Sequence, residues 1–537
     1  MKRIMKKLPV GIQTIEKVIE EGFVYVDKTD LIHKLITEGT YYFLSRPRRF
    51  GKSLLLSTFK AIFSADKKLF KKYKISSLAY SWEKFPTISL DFTQIPTKSP
   101  EALEAGLKRA FIKIAKSYDK TIKIASLQEG LADLVEKLAE EGKVVILVDE
   151  YDKPIIDNIN SKKIAEANRA LLKDVFGVLK GLDRYLRFVF VTGVSKFSQV
   201  SLFSGFNNLR DITMAPDYAT LLGYTEEEVV FHFQDHLKKI STRRAKDKLP
   251  SSKKAILQEM KKWYNGYHFS WDRPAVYNPH STLNFLETGR IQSFWFQTGT
   301  PTFLIEFIKK EKYPLEQLSD IEVGEEIFDS YDIENINPIS MMWQTGYLTI
   351  QGYDSFKRLY RLGYPNEEVR EAFLKRLAEG ITGVMIPQVT NYARVCVEAL
   401  QEKDLELFFI KLKAFFATIP YDMRLEEEKY YQTTFYVLAQ LMGLAAEVEI
   451  KTNLGRIDMA IEMDKIFYIF EFKVNQKASP ALKQIQDKKY LEKYLGRKKE
   501  ICAIGVSFST KERNIVEWKS KFYNFRGAKK KVLRKKA

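Results

Sequence analysis

Residues 46–53 read Arg-Pro-Arg-Arg-Phe-Gly-Lys-Ser. They follow a β-rich run at 41–44 and precede an apolar stretch at 54–63 suited to a helix. In that order, backbone N–H groups and a helix N-terminus cradle phosphates, while Lys reaches the terminal phosphates and Ser holds Mg²⁺. Gly51, Lys52 and Ser53 are thus the expected core of a nucleoside triphosphate site. A glycine is usual five residues before Gly51. Arg46 stands there instead, and arginine cannot take glycine-only backbone angles. Arg46, Arg48 and Arg49 bring three positive charges to the loop, which favour a polyphosphate or pair with acidic residues of the fold.

Two further apolar runs end in polar residues. Residues 144–148 lead into Asp149 and Glu150: the first suits a Mg²⁺-positioning acid, the second an acid that orients the attacking water. The competing reading is a charged strand end facing solvent. Residues 188–191 lead into Thr192, Gly193, Val194 and Ser195, small polar groups at the strand edge where open α/β sheets bind ligands. They suit contact with a γ-phosphate, or equally a turn.

A second constellation lies near the C-terminus. Asp458, then Glu471 and Lys473 on the next β-rich run, are the residue types of metal-dependent phosphodiester cleavage, with carboxylates for Mg²⁺ and a lysine for water or phosphorane charge. Glu471 and Lys473 are two apart and share a strand face. A two-residue turn at Asp464-Lys465 makes paired residue numbers sum to 929, as 464 and 465 do, and sets Asp458 opposite Glu471, a like-charge pair that calls for a cation. The plainer alternative is an alternating half-exposed strand. Gln484 and Tyr490 downstream, and Glu428 and Gln432 upstream, are weaker candidates for the same cleft.

These groups need a scaffold of several cores. The chain has 537 residues, 45% hydrophobic and 29% charged, with 17 Pro and 26 Gly, a globular and multidomain composition. Runs at 41–44, 87–92, 144–148 and 188–191 predict four strands of one parallel-type sheet with helices on its faces. Thr225 followed by three glutamates predicts a helix start. Residues 290–420 predict a helical connector. Beyond them come a helix at 430–443, strands at 448–452, 456–461, 466–474 and 501–508, and a helix at 480–494. The division expected is 1–225, 226–420, 421–520 and a basic tail at 521–537.

The net charge of +19, from 87 basic and 68 acidic residues, includes six charges in the last nine residues. It favours a polyanionic partner or reflects a solvated end. Cys396 and Cys502 are isolated in the sequence, against a disulfide framework or zinc cluster. No apolar h-region follows the basic N-terminus and no stretch reaches membrane-span length, so no membrane partner and a cytoplasmic location are expected. His232 and His236 are four apart, but the zinc-protease pattern fails at Phe233. The aromatic residues of 263–269 and Trp271 suit base stacking or, more economically, a core.

Together, the segments 23–29, 46–53, 149–154, 192–195 and 263–269, with Gly455 to Asp458, Glu471 to Lys473 and Gln484, resemble a family of prokaryotic proteins. That family joins an AAA-ATPase-like domain to a PD-(D/E)XK nuclease superfamily domain. The resemblance covers about 1–285 and 420–515. It implies an α/β fold: an N-terminal P-loop-type parallel sheet with flanking helices, a helical middle, and a C-terminal restriction-endonuclease-like domain.

ATP and Mg²⁺ are the implied cofactors. Arg46, Arg49, Gly51, Lys52, Ser53 and Ser195 would bind nucleotide, Ser53 and Asp149 the metal, with Glu150 catalytic. Asp458 and Glu471 would hold a second metal and share catalysis with Lys473 and Gln484, with Glu428 as an upstream acid. In that family arginine commonly stands where the first loop glycine is expected. Nucleic acid, DNA foremost, is the implied partner, with room for a homo-oligomer and a role in defence or mobile-element biology. Three functions remain open: a nucleotide-controlled nuclease, a nucleotide-switched binding protein that does not cut, and an ATPase with a structural C-terminal domain.

Overall fold

Val144–Asp149 has five branched apolar residues in succession, and the strand they form is buried along its whole length. Such a strand needs cover on both faces, which a parallel sheet between helices provides. The computed structural model describes residues 5–196, 209–295, 304–305, 321–328, 337–419, 428–441, 445–452 and 454–524. The lysines and arginine of the basic tail, at 529–536, lie outside them. The chain divides into two compact units, 1–303 with 320–370, and 304–319 with 371–537.

In the first unit the strands are β1 (Tyr41–Ser45), β2 (Thr87–Asp91), β3 (Val144–Asp149), β4 (Leu186–Gly193) and β5 (Arg210–Asp211). Their order is β2-β3-β4-β1-β5 and every pairing is parallel. The four expected strands are present; the two-residue β5 was too short to leave a period in the sequence. Alternation along β4 sends Val189 and Val191 to the core shared with helices Pro100–Lys116, Leu127–Ala139 and Lys162–Gly177. Phe188 and Phe190 go to the other face, against Phe59 and Phe63 of helix Lys52–Phe63. The helix start at Thr225 is a full capping box with Glu228.

Helices dominate the middle, including Pro338–Thr345, Ile386–Gln401 and Leu405–Thr418. A small antiparallel sheet interrupts them, formed by β6 (Ile321–Val323), β7 (Thr349–Asp354) and β8 (Leu359–Gly363) in the order β6-β8-β7. It was not foreseen, because three short strands offer too few alternations to stand out. No helix among the described residues is long and apolar enough to cross a membrane.

The second unit holds β9 (Ala445–Lys451), β10 (Arg456–Glu462), β11 (Ile466–Val474), β12 (Glu500–Ser509) and β13 (Asn514–Tyr523), ordered β13-β12-β11-β10-β9. The β11–β12 pair is parallel and the others antiparallel. Phe470 and Phe472 pack against Phe408 and Phe435 of helices Leu405–Thr418 and Glu428–Leu441. Phe467 and Ile469, on the opposite face, meet Leu482 and Ile485 of helix Ala478–Asp487. That helix is shorter than the expected 480–494: Lys489 takes a left-handed backbone, and a 3₁₀ turn, Tyr490–Tyr494, follows. The edge strand β13 was missed although Glu517, Lys519 and Lys521 alternate along it, a charged pattern that suits an exposed edge.

Candidate functional site

β1 delivers the chain to the loop, and helix Lys52–Phe63 leaves it with Gly51 as N-cap at φ 95°, a left-handed angle that favours glycine. Arg49 is also left-handed, at φ 67°. Lys52 Nζ donates back to Arg46 O at 3.0 Å and Pro47 O at 3.3 Å. Burial pushes its ammonium pKa down, with Glu150, Asp149 and Asp152 opposing. Ser53 Oγ donates to Asp149 Oδ2 at 2.6 Å, so the helix start and the end of β3 meet across the intervening strand β4. Burial pushes the Asp149 carboxyl up to about 6 against the pull of Ser53 and Lys52. Its Oδ1 is buried without a hydrogen-bond partner.

These groups border a cavity of about 430 Å³. Arg48, Arg49, Gly51, Lys52, Ser53 and Glu150 line it, facing walls that include Gln13, Tyr25, Lys28, Leu222 and His280. Tyr25 and Lys28 belong to the segment 23–29 on which the family resemblance rests; Gln13, Leu222 and His280 were not singled out from the sequence, because no spacing links positions so far apart. The volume lies in the ordinary range for small-molecule sites.

Two expected phosphate contacts are elsewhere. Arg46 is 1% exposed and absent from the cavity lining. Its guanidinium donates to the carbonyls of Ser45, Thr213 and Tyr218 and lies 3.8 Å from the centre of the Phe269 ring. It ties the loop to the body of the unit, because a planar fork of donors satisfies several carbonyls at once. Ser195 is also buried away from the cavity: its N–H and Oγ both donate to Asp152 Oδ2, at 2.7 and 2.8 Å. Asp152 therefore joins the ends of β3 and β4. Gly193 is needed beside it, since a Cβ there would stand 2.7 Å from the Tyr151 ring. Thr192 Oγ1 donates to Leu44 O at 2.7 Å, a structural bond between β4 and β1.

The aromatic segment 263–269 supports the loop. Phe50 packs edge-on against Tyr267 and Phe269, at 4.8 and 5.4 Å between ring centres. Trp271 is half exposed beside Tyr353. His232 ends one helix and His236 lies in the next, with Phe233 between them, so they do not share a helix face.

In the second unit the β10–β11 register runs Met459↔Phe470 to Glu462↔Phe467, and each of these pairs sums to the expected 929. Continuing it brings Asp458 beside Glu471. Asp458 Oδ2 accepts the Phe472 N–H at 2.8 Å. Glu471 is 1% exposed; its Oε1 accepts from Gln484 Nε2 and lies 3.5 Å from Lys473 Nζ. Burial, then the Asp458 charge, pushes its carboxyl up to about 8, with Lys473 opposing. Glu471 Oε2 is buried without a hydrogen-bond partner.

Asp458, Glu471, Lys473 and Gln484 are thus one cluster. Tyr490 belongs instead to the core under the sheet. Glu428 lies on helix Glu428–Leu441, as does Gln432; their side chains lie outside the described residues.

Among the described residues no three His, Cys, Asp or Glu side chains gather to hold a metal ion. Each site offers two side chains with oxygen donors. That set suits Mg²⁺, which keeps several waters and takes one or two carboxylates, and the unpartnered oxygens of Asp149 and Glu471 are donors of the required kind.

Residues 9–203 match a family described as a predicted AAA-ATPase, and residues 426–518 match the PD-(D/E)XK nuclease superfamily. The chain is similar to a protein of Azotobacter chroococcum mcd 1 described as "Uncharacterized protein in vnfD 5'region". The two are 35% identical over 532 residues, which are 95% of this chain and 98% of that one.

Proposed function

We propose, from the premise that this chain belongs to the family joining an AAA-ATPase-like domain to a PD-(D/E)XK nuclease superfamily domain, that it is an ATP-binding, Mg²⁺-dependent nuclease. In this reading the first unit binds and hydrolyses ATP, and the second cuts nucleic acid, DNA foremost. The net charge of +19 supports a polyanionic partner.

One observation carries the nuclease reading: a carboxyl with 1% exposure that keeps one oxygen unpartnered while a second carboxylate and a lysine stand beside it. Structural strands rarely bury a carboxyl in this way unless something completes it. A bound Mg²⁺ would supply Lewis-acid polarisation of phosphate and water. The chain's own residues do the rest. Gln484 fixes the Glu471 carboxyl by holding Oε1, which leaves Oε2 and Asp458 as ligands. Lys473 orients the water or neutralises charge that develops on the phosphoryl group.

In the first unit, Lys52 exchanges the Arg46 and Pro47 carbonyls for phosphate oxygens. Ser53 and Asp149 are the metal-side donors, and Glu150 orients the attacking water. The test is cleavage of plasmid DNA by the full chain with Mg²⁺ and ATP, beside Asp458→Ala and Lys52→Ala. Cutting by wild type that is lost in Asp458→Ala is expected. Cutting that survives it sinks the nuclease assignment, and ATP binding without any cutting would favour a nucleotide-switched binding protein.

A further inference from the structure

A non-glycine residue in the left-handed region persists only where its neighbours over-determine it. Arg49 is such a residue, at φ 67°, and the peptide before it is gripped from outside the loop. Trp295 donates its indole Nε1–H to Arg48 O at 3.0 Å. The tryptophan is 6% exposed and packs edge-on against Tyr347 at 5.2 Å between centres. Its backbone N–H donates to Glu368 Oε1 at 2.8 Å.

Glu368 lies in the first turn of helix Glu367–Thr382 and has no exposed surface. Among the described residues no lysine or arginine pairs with it. Its Oε2 is buried without a partner at hydrogen-bond distance. Burial pushes its carboxyl up to about 7, opposed by the Trp295 and Phe294 N–H groups and the Ser281 hydroxyl. The titratable groups facing it are Tyr264, at the end of helix Lys253–Tyr264, and Tyr267 just after it. Burial raises both phenols above their ordinary value, so neither changes charge near neutral pH.

We propose that Trp295 and Glu368 are positioning residues for nucleotide binding: the chain from carboxyl to amide, indole and Arg48 carbonyl holds the loop so that Arg48 and Arg49 face the cavity. The proposal rests on the reading that this cavity takes a nucleoside triphosphate. An ionised Glu368 accepts from Trp295 more strongly than a neutral one, so the grip tightens as pH rises through neutrality. Trp295 is also placed to report the loop's state by its emission.

Calorimetric titration of the full chain with Mg·ATP, between about pH 6 and 8, tests this with Trp295→Phe, Glu368→Gln and Glu368→Ala, and with Lys52→Ala as control. Trp295→Phe keeps the ring's bulk but loses the indole donor, and should weaken binding about threefold to tenfold, the worth of one hydrogen bond. Glu368→Gln keeps an acceptor oxygen and should bind closer to wild type than Glu368→Ala. The ratio of wild-type to Glu368→Gln affinity should rise with pH, since ATP's own ionisation cancels in that ratio. An ATP-induced change in tryptophan emission should be present in wild type and absent in Trp295→Phe. If wild type binds ATP through Lys52, yet Trp295→Phe and Glu368→Gln match it at every pH, the positioning role is overturned and the nucleotide site stands. If wild type binds no ATP, the nucleotide site itself falls.

Discussion

Replacing Arg46 by methionine keeps much of the side-chain volume and deletes the guanidinium. That group donates at 2.9 Å to Ser45 O, 2.8 Å to Thr213 O and 3.2 Å to Tyr218 O, and stacks on Phe269. Hydrogen bonds from a charged donor contribute about 1.5–3 kcal/mol each, and a desolvated cation on a ring about 2 kcal/mol more. Against this, the variant recovers the several kcal/mol it costs to bury a charge with no carboxylate in contact. The balance is a loss of about 3 kcal/mol, or roughly 6 °C in melting temperature for a unit of this size.

Arg49→Ala, at an exposed cavity-lining position, should leave melting nearly unchanged and weaken Mg·ATP binding about tenfold, the effect of one charge-assisted hydrogen bond. Circular dichroism melts and calorimetric titrations on both variants measure the two quantities side by side. The reverse pattern would refute the reasoning: unchanged melting with lost affinity for Arg46→Met, and intact affinity for Arg49→Ala. It would return Arg46 to the phosphates.

Lys473→Ala should slow plasmid cleavage by about 100- to 1,000-fold, the usual effect of losing one group that stabilises developing charge, while Mg²⁺ still raises the melting temperature. Equal cleavage by the variant would remove Lys473 from the chemistry. Ser53→Ala and Asp149→Asn should each reduce the Mg²⁺ dependence of ATP binding by about tenfold or more, read by titration with and without the metal. The Glu368 carboxyl is raised in the folded state to about 7 from an ordinary 4.5. Its stabilising contribution is therefore full below about pH 4.5 and lost as pH rises through about 7. Glu368→Gln should gain up to about 3 kcal/mol relative to wild type at pH 8 and little at pH 5, measured by urea unfolding; a pH-independent difference would contradict the assignment.

What could be read from residues alone follows from the reach of each signal. The strands at 41–44 and 144–148 and the Gly-Lys-Ser between strand and helix are local patterns, and local patterns survive folding. The Asp458–Glu471 pairing was legible because a tight turn converts sequence separation into spatial opposition. The charge of Arg46 and its position in the motif point to the phosphates. Its direction depends on Thr213, Tyr218 and Phe269, well over a hundred residues away, and no local pattern encodes them. The same holds for Trp295 and Glu368. Ser195 follows the same logic: the small polar residues after a strand do satisfy an anionic group, but that group is the carboxylate of Asp152, within the fold. The three-stranded sheet in the middle and the edge strand β13 are short or charged, and their partners decide them more than their composition does.

The hairpin between β10 and β11 turns at Asp464 and Lys465, and the register it sets is maintained pair by pair from Glu462↔Phe467 to Met459↔Phe470. Side chains alternate faces at every residue, so a slip of one position would carry Asp458 to the opposite side of the sheet from Glu471 while leaving the backbone hydrogen bonds largely intact. The distance between the two acids is thus set by a strand register, which the turn and the buried apolar residues of β10 and β11 fix together and which takes no part in the chemistry. A slip of that register would be silent to a measurement of secondary structure and decisive for the cluster. The length of that turn, more than its side chains, is what bears on the cluster.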